Sequence, residues 1–143
     1  MPRSPDELAR ILETYIPFNQ FLGIRIVSMK DGVACLELPY RPEFIGDPAR
    51  PALHGGAIAT LIDTTAGFAV WTRIEPDDRL STVDLRIDYV THGRPEALQA
   101  EATVIRLGNR LATVDVRSYQ PSDEKRTVAT GKGVFSIRRK EDV

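Results

Sequence analysis

His54, Gly55, Gly56 and Asp63 are the residues of this chain whose types and spacing combine into chemistry. They lie in one stretch, Pro48 to Trp71, PARPALHGGAIATLIDTTAGFAVW, which holds the longest helix candidate in the sequence. Two glycines at a helix start leave backbone N–H groups open to a ligand oxygen, because they carry no side chains and the first turn has no intrahelical acceptors for its donors. The helix dipole adds to the pull on negative charge. Such donors suit the oxyanion that develops when a carbonyl is attacked. Asp63 sits among Ile58, Ala59, Leu61, Ile62, Ala66 and Gly67. A carboxylate in such company is costly unless it is hydrogen-bonded or solvent reaches it through a cleft. Each feature also has a plain structural reading. The glycines allow a tight turn into the helix, Asp63 shares a polar side with Thr60 and Thr64, and His54 serves as an N-cap-like residue under the preceding loop.

Spacing separates these residues. Asp63 follows Gly55 by eight residues, which at about 1.5 Å per residue is roughly 12 Å along the helix. One carbonyl cannot sit close to both within a chain. Either the two are unrelated, or Asp63 works with the helix start of a second subunit, and a two-fold dimer would then hold two equal composite sites. His54 directly precedes the glycines, a place from which it fixes loop geometry more readily than it transfers protons. With only His54 and His92, and Cys35 as the one cysteine, a multi-histidine metal site, a cysteine metal site and an intrachain disulfide are excluded. No serine or cysteine has an evident His/Asp partner, and Cys35 reads as a structural strand residue.

The elements that must position this stretch follow in order. Ser4, Pro5, Asp6 and Glu7 read as an N-cap, a first-turn proline and an acidic first turn, so a helix is expected over about 5–16, with Leu8, Leu12 (or Ile11) and Tyr15 on its apolar side and Pro17 ending it. Extended runs over 23–30 and 33–38 flank Asp31-Gly32, a hairpin signal. Ala34, Leu36 and Leu38 share one face of the second run. Four prolines make 39–53 an irregular crossing. The central helix is expected over about 55–71. Four strand candidates follow, each with an alternating face: Val83, Leu85, Ile87 and Tyr89; Ala100, Ala102 and Val104; Ala112, Val114 and Val116; Ala129, Gly131, Gly133, Phe135 and Ile137. The two glycines of the last run mark a tight curve or close packing. A long helix placed between two strands and four more implies an α+β protein in which the helix covers one face of a single antiparallel sheet.

Composition sets outer limits. The 143 residues fit a single domain, 1–143, with 42% hydrophobic and 27% charged residues. A net charge of -1 gives no support to nucleic-acid or anionic-membrane binding. Arg138-Arg139-Lys140, followed by Glu141-Asp142, reads as a solvated end. No signal segment or span of transmembrane length is evident, and the cysteine usage fits a cytoplasmic protein. GxGxxG and P-loop signatures are absent.

LHGGAIATLID, after a proline-rich loop and two strands, resembles the acyl-CoA thioesterases of the hotdog fold, specifically the PaaI-type (phenylacetate-pathway-like) group, over roughly Gly23 to Ile137. The resemblance implies a curved antiparallel sheet wrapped around one long helix, a homodimer or dimer of dimers, and cleavage of acyl-CoA without metal or organic cofactor. It implies the Gly55 N–H as oxyanion donor, Asp63 of the facing subunit as general base or nucleophile, and His54 as the residue that orders the loop. Thr82, in STVDL, falls where many members carry a water-positioning serine. Many members also have an asparagine six residues before the histidine. Here that place is Pro48, with Asp47 beside it, and an ionised aspartate cannot donate as asparagine does.

Arg106 and Arg110 flank the Gly108 turn with charge suited to CoA phosphates. Phe44, Phe68, Trp71 and Tyr89 are candidates to line an acyl pocket, or to pack in the core. Two other activities share the pattern: acyl-CoA binding without catalysis, favoured by the altered Asp47-Pro48 loop, and hydration or dehydration of an enoyl-CoA, which relies on an Asp/His pair in a different context.

Overall fold

The computed structural model describes residues 1–140. Helix α1 (Pro5–Arg10) opens with a capping box: the Ser4 hydroxyl accepts from the Glu7 N–H, and the Glu7 carboxylate accepts from the Ser4 N–H. The helix expected over 5–16 does not run through. It passes into a π-helical segment (Ile11–Tyr15), breaks at the extended Ile16, and restarts as α2 (Pro17–Leu22). Pro17 therefore begins a helix instead of ending one, because its missing N–H and fixed φ suit a first helical position. Leu8 and Leu12 are buried, while Tyr15, expected on the apolar side, is 79% exposed. Glu13 ties this segment to the sheet by accepting from the Ile26 N–H at 3.1 Å, where the β1 register shifts.

Strands β1 (Arg25–Lys30) and β2 (Val33–Leu38) form the expected hairpin, with Asp31 and Gly32 at φ of 25° and 83° in its turn. The crossing that follows has more order than its prolines imply. It holds a 3-10 turn (Pro42–Phe44) and two short paired strands, β3 (Ile45–Asp47) and β4 (Ala52–Leu53). Helix α3 then spans Gly55–Trp71, and strands β5 (Arg79–Tyr89), β6 (Leu98–Leu107), β7 (Leu111–Gln120) and β8 (Asp123–Arg138) complete the chain. The main sheet is antiparallel in the order β1-β2-β6-β7-β8-β5.

Helix α3 packs against five of the six strands, β2, β5, β6, β7 and β8. A sheet of which five strands touch one helix must curve around it. The contact surface is built from small and branched residues: Ala34, Leu36, Ala100, Ala102, Ala112, Val114 and Ala129 on the sheet, and Ile58, Leu61, Ile62, Ala66 and Ala69 on the helix, all buried. The approach is tight at Gly131, where a Cβ would lie 2.6 Å from Ile62 Cγ2. Gly131 is thus the close-packing glycine expected in the last strand.

Strand β5 departs from simple alternation. A bulge shifts its register against β8 between Thr82 and Asp84. Val83, expected on the inner face, is turned out and 61% exposed, while Leu80, Leu85 and Ile87 pack against the core. The extra residue reverses parity, so Thr82 faces α3 together with Leu85 and Ile87.

Arg139 and the Lys140 backbone are anchored instead of merely solvated. Arg139 donates to Asp78 at 3.0 Å, with side-chain exposures of 19% and 4%, and the Lys140 N–H donates to the other Asp78 oxygen. Glu141 and Asp142 lie outside the described residues. Burial works against the Asp78 charge, but hydrogen bonds from the Glu75 N–H, Arg139 and the Lys140 N–H outweigh it and hold the carboxyl below its ordinary pKa. Because the folded value is depressed, this stabilisation is complete above the unfolded pKa of about 3.9 and is lost as pH falls through the folded value. Asp78→Asn should therefore cost about 3 kcal/mol in urea unfolding at neutral pH. The gap from wild type should narrow below about pH 3.9; a gap that stays constant into acid would show that the charge contributes nothing.

Candidate active site

The start of α3 is built around His54. As N-cap, its Nδ1 accepts from the Gly56 N–H at 2.8 Å, while its carbonyl accepts from the Ala57 and Ile58 N–H groups. An accepting Nδ1 places the ring proton on Nε2. The His54 N–H donates to the Phe44 carbonyl at 2.7 Å, so the 3-10 turn holds the cap residue in place. The Gly55 N–H has no acceptor among the described residues. Its carbonyl accepts from the Tyr89 hydroxyl at 3.0 Å, and the Tyr89 ring lies against Gly55. Of the two glycine amides, then, one is taken by the cap and one is open.

Asp63 lies two turns further along α3, partly exposed, with one oxygen accepting from Thr82 Oγ1 at 2.9 Å. Its second oxygen accepts from nothing among the described residues. The pair opens on a cleft of about 210 Å³ whose wall includes Asn19, Phe68, Trp71, Leu80 and Phe135. A separate pocket of about 220 Å³ lies on the other side of α2, beside His54 and Gly56, with Phe18 and Phe44 in its wall.

The structure thus brings together Asp63 with Thr82, and His54 with Gly55. It does not bring Asp63 to the Gly55 amide within one chain. Asp47 joins neither group. Its carboxylate accepts from the Ala49 and Arg50 N–H groups at 3.0 and 3.4 Å, closing the tip of its own loop, and it borders a third pocket with Arg50 and His92. Among the aromatic candidates, Phe44 and Phe68 are buried, Phe68 and Trp71 stack at 6.1 Å in the Asp63 cleft, and Tyr89 is 54% exposed at the helix start. Arg106 and Arg110 are exposed at the β6–β7 turn and line neither site pocket. Cys35 is buried with its Sγ 3.7 Å from the Tyr119 hydroxyl, and burial pushes its thiol pKa up, which disfavours the thiolate a nucleophile requires.

Three site features escaped sequence reading. The Tyr89 bond to Gly55 needs the β5 register, and the inward turn of Thr82 needs the bulge. Asn19, in the cleft wall, had only a weak signal: one of two adjacent amides, with Gln20, in the segment Pro17–Leu22 that is otherwise apolar.

A long helix held by a six-stranded antiparallel sheet, with an open amide at its start and a carboxylate along its length, defines a hotdog-fold protein. The family model described as Thioesterase superfamily matches residues 51–127. The chain is 30% identical over 136 residues to the medium/long-chain acyl-CoA thioesterase YigI of Escherichia coli (strain K12), covering 86% of each. An X-ray structure of another thioesterase-superfamily protein superposes with a TM-score of 0.84 at 32% identity, over 92% of this chain and 97% of that one. A thioesterase family protein from Silicibacter pomeroyi matches in fold alone, with a TM-score of 0.84 at 22% identity, over 93% and 97% of the two chains. The chain belongs to the thioesterase superfamily, and thioester hydrolysis is its general chemistry.

The His54 cap is testable by itself. His54→Ala should lower unfolding free energy by about 1 kcal/mol, and His54→Asn, a strong capping residue, should recover most of it. Equal losses in the two variants would show that His54 contributes packing and not the cap.

Proposed function

We propose that this protein is an acyl-CoA thioesterase that works as a homodimer, with each site shared between the Gly55 amide of one protomer and Asp63 of its partner. One observation carries the reading: the Asp63–Thr82 pair opens on a cleft at the free edge of the sheet. Strand β5 is an edge strand of 11 residues, with Val83 and Tyr89 more than half exposed. Long exposed edges invite pairing. This strand also touches both halves of the candidate site, Asp63 through Thr82 and Gly55 through Tyr89. Antiparallel pairing of two β5 strands about a two-fold axis near their middle would set the Thr82 end of one against the Tyr89 end of the other. Asp63 of one protomer would then approach the Gly55 amide of its partner, which is the juxtaposition that helix rise forbids within one chain.

In this arrangement the thioester carbonyl accepts the Gly55 N–H, and the helix dipole stabilises negative charge as it grows on that oxygen. Asp63, aligned by Thr82, takes a proton from a water that attacks the carbonyl carbon, or attacks it directly to give an anhydride that water then cleaves. Either route breaks the C–S bond and releases the acid and CoA. His54 holds the amide in place through the cap, so its part is positional. The similarity to YigI favours acyl-CoA as the thioester and medium or long chains as the first acyl groups to try. Binding without hydrolysis is the second reading, supported by the Asp47 carboxylate being committed to its own loop.

Hydrolysis of short, medium, long and aromatic acyl-CoAs, followed by free thiol release, separates the two. Asp63→Asn should lower kcat/KM about a thousand-fold on the best ester while the fold persists. Near-normal turnover by that variant would remove Asp63 from the mechanism, and binding of every ester without thiol release would establish the second reading.

The shared site has its own test. Gly55→Pro deletes the amide donor at a position where proline suits a helix, and His54 already has the extended backbone (φ -62°, ψ 134°) that a following proline requires. Each single variant should be inactive. Co-expressed with Asp63→Asn, it should recover about a quarter of wild-type activity, because half of randomly paired dimers are mixed and each mixed dimer holds one intact site of two. No recovery in verified mixed dimers would place both groups' action within single chains.

A further inference from the structure

The side chain of Asn19 is the polar group that the fold leaves without an explanation. Asn19 is 3% exposed, and its Nδ2 has no hydrogen-bond partner among the described residues. The backbone of this residue is needed: its carbonyl accepts from the Gly23 and Ile24 N–H groups at the end of α2. The side chain closes no turn and bridges no elements. A buried amide donor left unpaired is a standing cost to the folded state, whereas an apolar side chain of the same size would carry none. Such a deficit persists most readily where a ligand removes it.

Its location identifies the ligand. Asn19 stands in the wall of the cleft that contains Asp63 and Thr82, one helical turn from Ile16 in the same wall. The N-terminal segment crosses α3 in the opposite direction: Arg3 lies 4.6 Å over the Trp71 ring, and Phe18 shares a pocket with Ala57 and Thr60. Asn19 falls between these points, beside the Asp63–Gly67 turn. Apart from Thr64 on the helix beside Asp63, the rest of the wall there is apolar or aromatic, from Phe68, Trp71, Leu80 and Phe135. Residues 51–127 carry the family match, so that match assigns Asn19 no role. The preceding π-helical segment and the break at Ile16 set α2 in its own direction, and with it the face that Asn19 presents.

The geometry points to Asn19 as a specificity residue that donates a hydrogen bond to an oxygen carried on the acyl chain, close to the thioester carbonyl. The inference rests on the acyl-CoA thioesterase reading. The small cleft puts an acceptor within a few bonds of the carbonyl that Asp63 serves, which suits a 3-hydroxy or 3-oxo group. The Nδ2 atom is itself fully buried, so its donation to a bound acyl oxygen requires a turn about the broad Asn χ2 torsion. The preferred substrates are then acyl-CoAs oxygenated near the carbonyl, in place of plain alkyl esters of equal length.

The experiment compares octanoyl-CoA with 3-hydroxyoctanoyl-CoA and 3-oxooctanoyl-CoA, in wild type and in Asn19→Leu, together with thermal unfolding of each protein. Wild type should favour at least one oxygenated ester over octanoyl-CoA by about tenfold in kcat/KM, the discrimination a single hydrogen bond provides. Asn19→Leu should abolish that ratio and unfold at a higher temperature, since it removes the unpaired amide. Asn19→Ala reads the same ratio with no added bulk and should abolish it too. Hydrolysis without preference in wild type, or equal loss on all three esters in both variants, overturns the assignment and leaves the thioesterase reading standing. A lower melting temperature with the ratio intact also overturns it, by making Asn19 structural. Failure of wild type to hydrolyse any thioester is a different result and removes both.

Discussion

The contact between Ile62 and Gly131 helps seat the central helix on the sheet, and the proposed site residues depend on that seating. A helix lying across the inner face of a sheet is located by how near its side chains come to the strands. Here a methyl group of Ile62 stands 2.6 Å from where a Cβ on Gly131 would be, leaving no room for one. Any larger residue in β8 would push the helix outward, and packed interiors do not absorb such a change without strain elsewhere. Asp63 is the next residue along the helix, and Gly131 pairs with Ile87 of β5, on the strand that carries Thr82. The 2.9 Å bond between Thr82 and Asp63 depends on that seating.

Seating a helix this deeply creates a conflict that the structure resolves unevenly. About half of α3 is fully buried, so the polar groups there need partners. Thr65 meets this by donating to the Leu61 carbonyl, and the Gly56 N–H by donating to the His54 cap. Three groups near the helix stay unpaired among the described residues: the Gly55 N–H, the second Asp63 oxygen and Asn19 Nδ2. Elsewhere the chain pairs its buried charge well, as at Asp78 and Arg139. Asn19 Nδ2 is the buried one of the three, and open donors and acceptors gathered beside one cleft suit the site proposed there.

The architecture was legible because its signals are local and strong. The Asp31-Gly32 turn, the alternation of Ala100, Ala102 and Val104, and the small-residue run from Gly55 each follow from nearest-neighbour chemistry. The separation of Gly55 from Asp63 was equally legible, since helix rise is fixed. What could not be read depends on residues distant in sequence. Strict alternation puts Val83 inside, and only the pairing with β8 reveals the extra residue that turns Thr82 inward. Pro17 reads as a stop in isolation and becomes a start once Ile16 is extended. Asn19 looks like an ordinary surface amide until α2 is laid over the cleft.

The bulge in β5 ties these observations together. Without it, an inward Leu85 and Ile87 would require an inward Val83, and Asp63 would face a methyl group instead of a hydroxyl. Burying Asp63 against valine would raise the cost of its charge; the Thr82 hydroxyl offsets part of that cost and leaves the second oxygen free. The same insertion exposes Val83 on the outer face of an edge strand, where natural sheets usually place charge, proline or a covering element. Here the neighbouring Asp84 and Arg86 are charged, yet the strand keeps its full length and its unpaired edge. An edge this long is tolerable when it is normally paired. The bulge that presents Thr82 to Asp63 therefore lies on this edge strand, so the proposed site and the proposed dimer rest on one local feature of the backbone.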